Sequence, residues 1–537
     1  MKNVKLLDCT LRDGGRIIDC AFPDNHIMGI TEGLTEAGVD IIELGFLHGK
    51  YEYQKNSTFF TEIEQIKQFI PQNKKNSMYV AFADYGKEFG MWDFSKLPEC
   101  DGSSITGIRI GFRKKDLYDA IDTFHIVKNK GYALFIQGVE SLNYTDKEML
   151  EVIEVVNKIK PYSFGIVDTY GAMYKDDVLR LYHLVDHNLH EDIAIDFHSH
   201  NNLQLSFAFA QEIVECSGKR NVILDATLEG LGKGTGNLNT ELIMDYLIRK
   251  HNYSYDIDAL LDTIDEYIYL LKKEHNWTYS IPYFMAGVYS SHANNIIYLT
   301  EKHRLSTKDI KHIISMIEPE KRKRYDYDNI EKLYVDYSSA KVDDRLSLEK
   351  LQREIKGRKV LILVPGYSLK EYENQIQKTI DAENPVVISV NFVDDTREGT
   401  YSFFGNKRRY KSCKNSRKSG YTIVTSNINP DNCDDLLINY NRLIKREYEL
   451  FDNSTIMLLN LLHYLNNDEI MIAGFDGLDA DVDKAYAAPF YENYNNEEDY
   501  EQINEKLKLL LKDYSKFLPD KRSVRFITPS RFESVFK

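Results

Sequence analysis

The chain has 537 residues, 43% hydrophobic and 28% charged, values ordinary for a soluble globular protein and enough for roughly two or three domains with a barrel-sized core. A short peptide module, a long disordered tail and a fibrous repeat are excluded. With 83 acidic against 68 basic residues the net charge is -15, which disfavours nucleic acid or an anionic membrane as a partner of the whole surface. Six cysteines (Cys9, Cys20, Cys100, Cys216, Cys413, Cys433) form no CxxC pair, as expected of reduced thiols. The opening MKNVKLLDCTLRDGG meets charge before an apolar run reaches signal-peptide length, and no stretch reaches the length of a membrane span. The expected location is cytoplasmic.

Over roughly the first 250 residues, short β-branched runs alternate with longer amphipathic stretches. The runs are VKLLDCT (4–10), VDIIELGF (39–46), MYVAFAD (78–84), GIRIGF (107–112), YALFIQGV (132–139), FGIVDTYG (164–171), IAIDFHSH (193–200) and VILDATLEG (222–230). Between them NHIMGITEGLTEAG (25–38), STFFTEIEQIKQFI (57–70), DLYDAIDTFHIVKNKG (116–131) and TDKEMLEVIEVVNKIK (145–160) read as helices, several opening on Asp, Ser or Thr and closing near Gly or Pro. Eight such repeats predict a (β/α)8 barrel in preference to a doubly wound open sheet. The expected fold class is α/β: a TIM barrel over 1–254, a helical extension over 255–345 and a C-terminal Rossmann-like three-layer α/β domain over 346–537.

Barrel enzymes carry their chemistry at the carboxyl ends of the strands. There the chain places Arg12 and Asp13, Glu43 and His48, Asp168 and Thr169, the run Asp196-Phe197-His198-Ser199-His200-Asn201-Asn202, and the segment from Glu229 through GLGKGTGN to Asn237. Side chains two apart on a strand share a face, so His198 and His200 can reach one ion, with Asp13 as the third ligand. An isolated His-x-His is more often a surface turn; at the end of a buried barrel strand the balance reverses. Arg12 reads either as a solvated partner of Asp13 or as a buried guanidinium that steadies an enolate or a ketone oxygen. GLGKGTGN reads as a tight turn with Asn237 fixing the metal loop, in preference to a phosphate cradle, because the Walker spacing is absent.

With DCTLRDGG at strand one, HSHNN at strand seven and GLGKGTGN after strand eight, the chain resembles the DRE-TIM metallolyase superfamily over residues 1 to about 300. Ala286-Gly287-Val288-Tyr289-Ser290-Ser291 places it nearest the 4-hydroxy-2-oxovalerate aldolases. The resemblance implies Mn²⁺ or Mg²⁺ on Asp13, His198 and His200, Arg12 polarising the ketone of a 2-oxo acid, Glu43 and Asn237 near the metal, and Tyr289 lining the pocket. Thr169, Arg16 and Asn237 are the expected substrate-binding residues. Where these aldolases have a His as general base, three positions beyond the Asp, this chain has Arg16, which cannot act as a base at neutral pH. His48 is the best replacement, because a neutral imidazole titrates near working pH, although a structural role capped by backbone is about as plausible; Tyr289 or a metal-bound water comes next. Arg16 can instead hold a carboxylate or phosphate of a more acidic substrate.

The expected activity is a carbon-carbon lyase joining or splitting a 2-oxo acid and an aldehyde, in a homodimer without nucleic-acid or membrane partners. A Claisen-type acyl-CoA transferase, or a non-catalytic barrel serving a transferase-like domain, are the alternatives. In the second half, 343–359 reads as a link and EPEKRKRYDYD (318–328) as a solvated helix end. VLILVPGYSL (360–369), PVVISVNF (385–392), YTIVTSNI (421–428) and EIMIAGFDG (469–477) read as buried strands. Gly366 and Ser368 in the first strand's turn, with Asp476 at the end of the last, are the expected ligand loop for a nucleotide or nucleotide sugar. FFGNKRRYKSCKNSRKSG (403–420) is the one marked basic cluster.

Overall fold

The computed structural model describes residues 3–50, 52–302, 305, 307–338, 342–418, 420–428, 434–445, 447–448, 450–478, 500–516, 518 and 523–536, so Cys433 lies outside the described residues. It divides into two compact units, Met1–Tyr327 and Asp328–Lys537. The extension expected over 255–345 is thus shared between them, its helices up to residue 327 belonging to the barrel unit.

In the first unit eight parallel strands close into a barrel: β1 (Val4–Asp8), β2 (Ile41–Leu47), β3 (Met78–Asp84), β4 (Gly107–Phe112), β5 (Ala133–Gly138), β6 (Ser163–Asp168), β7 (Ala194–Ser199) and β8 (Val222–Ala226). Closure is made by β1, which pairs with both β2 and β8. Six helices follow strands β1 and β4 to β8: α1 (Asp24–Glu36), α2 (Leu117–Asn129), α3 (Asp146–Ile159), α4 (Lys175–Asn188), α5 (Ser206–Cys216) and α6 (Thr240–His251). The capping box at α3 shows why these ends are sharp. The Thr145 hydroxyl accepts from the Glu148 amide, and the Glu148 carboxylate accepts from the Thr145 amide. The helix expected over 57–70 is reduced to one turn, Glu64–Lys67. Phe59–Phe60 instead pairs beside β2, where the aromatic rings stack on Phe46 and Phe69 and a flat pleated surface suits them better than a helix.

Alternation along the strands fills the barrel in layers. At the amino-terminal end Leu7, Ile41, Val80, Phe135, Ala194 and Ile223 form an apolar plug. One step higher the interior turns ionic, with Glu43, Arg109, Asp196 and Asp225 meeting on the axis. At the end of β1, Asp8 accepts from the Thr10 amide (2.9 Å) and the Thr240 hydroxyl (2.7 Å), joining the strand to α6. Burial pushes this carboxyl up to about 6 against those bonds. A raised acid favours folding while protonated, so its contribution is present below the ordinary carboxyl range and is lost as pH climbs through 6. Asp8→Asn is therefore expected to flatten the difference in unfolding free energy between about pH 4 and pH 7 by about 3 kcal/mol relative to wild type. Urea denaturation at the two pH values checks it; equal slopes for the two proteins would refute it.

The second unit has a seven-stranded parallel sheet: β9 (Val360–Leu363), β10 (Val386–Val390), β11 (Tyr401–Phe404), β12 (Thr422–Thr425), β13 (Leu436–Ile438), β14 (Glu469–Ala473) and β15 (Ser523–Phe526). Their order is β13-β12-β11-β10-β9-β14-β15, so the chain reverses direction across β9. Val360 and Ile362 pack with helices Arg345–Ile355, Ser454–Leu465 and Tyr500–Lys516 on one face, and Leu361 and Leu363 with Glu373–Glu383 on the other, giving three layers. The segment read as a link is thus a core helix, held by buried Leu351 and Ile355. The start of the basic cluster is strand β11, and Arg417 lies over the Tyr410 ring with Asp435 3.4 Å away. Among the described residues no helix is long and apolar enough to cross a membrane.

Candidate active site

Arg12 and Asp13 stand in the turn after β1, where three amides (Arg12, Asp13, Gly14) converge on the Cys9 carbonyl. Asp13 Oδ2 lies 3.2 Å from His200 Nε2 and 3.8 Å from His198 Nε2. The other ring nitrogens are fixed from behind: His198 Nδ1 is 2.9 Å from Asp225 Oδ2, and His200 Nδ1 is 3.2 Å from the Asp168 carbonyl. A carbonyl or an ionised carboxylate only accepts, so His200 donates from Nε2 to Asp13 and from Nδ1 to the Asp168 carbonyl, and a bound cation would take the place of the Nε2 proton. Burial pushes His198 down to about 3 despite Asp13, so that ring is neutral. Burial alone would raise the Asp13 carboxyl, but Arg12, His200 and His198 hold it well below its ordinary value.

These three groups can hold a metal ion, their ligand atoms lying within 4.8 Å of one another. Cys9, His198 and Asp225 form a second such set, but Asp225 there is already bound by Arg109. The surroundings also fit a cation. Four carboxylates (Asp13, Glu43, Asp196, Asp225) face two guanidiniums (Arg12, Arg109), and the buried Oδ1 of Asn237, a residue bridged to His200, has no hydrogen-bond partner. The tight-turn reading of GLGKGTGN matches the backbone. Gly236 has φ +74, and a Cβ there would fall 1.8 Å from the Gly230 carbonyl oxygen. Thr235 donates to Asn202, which locks this loop to the one after β7.

Arg12 is buried, giving Nε to Glu43 and NH1 to Asp13, each at 2.6 Å, with its guanidinium 4.5 Å from the Phe82 ring centre. Glu43 is fully buried between Arg12 and Arg109. Arg16 lies at the rim, its side chain 42% exposed, 3.4 Å from Asp13 and 3.5 Å from Asp84. His48 is held by backbone: the Lys50 amide donates to its Nδ1 (3.1 Å), and its ring packs on Phe59. Burial lowers its pKa, with Asp84 opposing, so the ring is neutral at neutral pH. Thr169 accepts from the Glu140 amide (2.8 Å) at the end of β6.

Tyr289 follows α7 (Ile281–Val288), and its ring stands 5.4 Å from the Arg322 guanidinium. A Cβ on the neighbouring Gly287 would come 3.0 Å from the Gly171 carbonyl oxygen, so this segment lies against the loop after β6. The run 318–328 is correspondingly more than a solvated end: the Arg322 carbonyl accepts from the His292 amide and Asn295.

Sequence reasoning missed Arg109 and Asp225, and read Asp196 only as the start of the polar run that ends the seventh strand. Arg109 is fully buried and reaches Glu43 (3.1 Å), Asp196 (3.1 Å) and Asp225 (2.5 Å). Burial works against its charge, yet Asp225, Glu43 and Asp196 keep it firmly protonated. The available signal was a charge inside an otherwise apolar run, in GIRIGF and in VILDA.

In the second unit Gly366, Ser368 and Asp476 do meet. The Ser368 amide donates to Asp476 Oδ2 (2.7 Å), its hydroxyl donates to the same carboxylate, and Thr528 completes the cluster. A Cβ at Gly366 would fall 2.3 Å from the Gly474 carbonyl oxygen. A carboxylate in this turn accepts hydroxyl groups from a ligand and repels phosphate.

The closed parallel barrel carries two imidazoles, a carboxylate and a buried guanidinium at the carboxyl ends of its strands, and an HMGL-like family model matches residues 115–266. Over 320 residues it is 25% identical to a 4-hydroxy-2-oxovalerate aldolase of Moorella thermoacetica, covering 58% of this chain and 90% of that one. A 4-hydroxy-2-oxovalerate aldolase of Chloroflexus aurantiacus is 26% identical over 272 residues, 49% of this chain and 75% of the relative. Among solved structures, the HMG-CoA lyase of Brucella melitensis aligns with TM-score 0.41 at 15% identity, over 51% of this chain and all of that one.

Proposed function

We propose that the barrel is a divalent-metal-dependent aldolase, making or breaking a carbon-carbon bond next to a 2-oxo acid through a pyruvate-type enolate. The observation that carries this reading is the convergence of His198 Nε2, His200 Nε2 and Asp13 Oδ2 beside the Arg12 guanidinium. An ion bound there supplies Lewis acidity towards a carbonyl oxygen, and two imidazoles with one carboxylate favour Mn²⁺ ahead of Mg²⁺. Arg12 has Nε and NH1 committed to Glu43 and Asp13, and NH2 is the amino group assigned here to the substrate. That amino group donates to the oxygen on which negative charge grows. In the cleavage direction the hydroxyl proton of the substrate passes to a base. The bonding pair then enters the enolate, the aldehyde leaves, and the methylene carbon takes a proton to give the 2-oxo acid. His48, neutral at the rim, is the proposed base.

Proton NMR of protein loaded with Mn²⁺ and then Mg²⁺, with pyruvate in D₂O, tests this. Loss of the methyl signal by exchange is expected, dependent on added metal, and slower by about 100-fold or more in His48→Ala. No exchange with either ion would end the aldolase reading and turn attention to acyl-CoA donors.

A further inference from the structure

The inward-facing side of β4 carries Arg109 and Gly111, and Arg113, still in extended backbone (φ -97, ψ 151), continues that face one step beyond the strand towards the mouth. Gly111 leaves room beside it, since a Cβ there would fall 2.5 Å from the Phe82 ring. The Arg113 guanidinium lies on the face of Phe89 at 3.1 Å from the ring centre. Its NH1 is buried without a hydrogen-bond partner, and among the described residues no carboxylate stands within ion-pair distance of it. Of the three acids that act on it through space, two are committed elsewhere, and the third, Asp116, stands beyond ion-pair distance with its Oδ2 buried. Asp84 meets Arg16, while Glu140 accepts from the Tyr170 hydroxyl (2.9 Å) and lies 3.9 Å from Lys323.

Arg113 is half-buried, and its NH1, shut away from water without a hydrogen bond, carries a cost that an anionic group on a ligand at the mouth would offset beyond what the Phe89 face supplies. We infer that Arg113, with Arg16 across Asp84, is a specificity residue that binds a second acidic group, carboxylate or phosphate, on the substrate. The substrate class is then a 2-oxo diacid, or a 2-oxo acid product whose aldehyde portion is acidic. This inference rests on the aldolase reading for the position of the first carboxylate, but not for the existence of the second anion site.

The test compares 2-oxoglutarate with 2-oxopentanoate, equal in chain length and differing in one carboxylate, by calorimetric titration of the Mn²⁺-loaded full-length protein. Wild type is expected to prefer the diacid by about 10- to 100-fold, and Arg113→Gln to bring that ratio close to one, with Arg113→Lys between. Inorganic phosphate titrated alone separates the two anions: binding lost in Arg113→Gln assigns a phosphate group, and its absence beside a diacid preference assigns a carboxylate. A wild-type ratio near one overturns the proposal without reference to any variant. So does a ratio unchanged in Arg113→Gln with a lowered melting temperature, which would make Arg113 a structural partner of Asp116, whose Oδ2 is also buried and unpartnered. Asp13→Asn keeps the two readings apart, because failure of the metal site weakens both acids while failure of Arg113 alters only their ratio.

Discussion

Asp13→Asn is expected to weaken Mn²⁺ binding by more than about 100-fold and to abolish exchange at the pyruvate methyl group. Removing groups that only orient metal ligands commonly costs 10- to 100-fold, and Asp13 is itself the charged member of the set. Its Oδ2 is the atom that both Nε2 nitrogens face, accepting from His200, and its Oδ1 holds Arg12 NH1. An amide offers a neutral oxygen to the ion and turns an NH2 group towards either His200 or Arg12, where only an acceptor fits. Low-temperature electron paramagnetic resonance counts bound Mn²⁺ and NMR follows the methyl signal. Unchanged affinity would remove Asp13 from the metal site, and persistent exchange would mean that the chemistry lies elsewhere.

Arg109→Leu is expected to be the most destabilising single change in the barrel, by about 3–5 kcal/mol. The guanidinium stands between Glu43, Asp196 and Asp225, all fully buried, and leucine leaves three carboxyl groups facing one another without a counter-charge. Burial and Asp225 already push Asp196 up to about 7, which shows how nearly that layer is overloaded with negative charge. Arg109→Lys keeps the charge but cannot fork to three acceptors, so an intermediate loss is expected. Chemical denaturation reads both, and a leucine variant within about 1 kcal/mol of wild type would show that the acids neutralise themselves by protonation.

The barrel was legible because parallel strands buried on both faces become continuous β-branched runs, and each of the eight runs overlaps one barrel strand, with only Leu47 and Ser163 falling outside. The cluster of Asp13, His198 and His200 was legible because residues two apart at the end of a strand share a face. The ionic layer beneath it was not, since Arg109 and Asp225 lie 116 residues apart and meet only when the sheet closes. In the second unit β9 and β12 are as short as the strands that escaped notice but are β-branched runs, whereas β11 is Tyr-Ser-Phe-Phe, β13 has three residues and β15 is nowhere fully buried. Residues 57–70 misled for the opposite reason: the helical spacing there is genuine, but Phe59 and Phe60 gain more by pairing beside β2.

The layered interior separates what this barrel can change from what it cannot. Arg109, Glu43 and Asp225 are each bound to residues from other strands, so a substitution among them disturbs several ligands at once. His48 and Arg113 stand at the rim on a local turn and an aromatic face, while Arg16 beside them also reaches Asp13 and Asp84. Under the proposed function, selection for a new acceptor molecule can therefore rewrite His48 and Arg113 one at a time while the ionic layer below stays intact. A designer altering acceptor choice has the same few positions to work with.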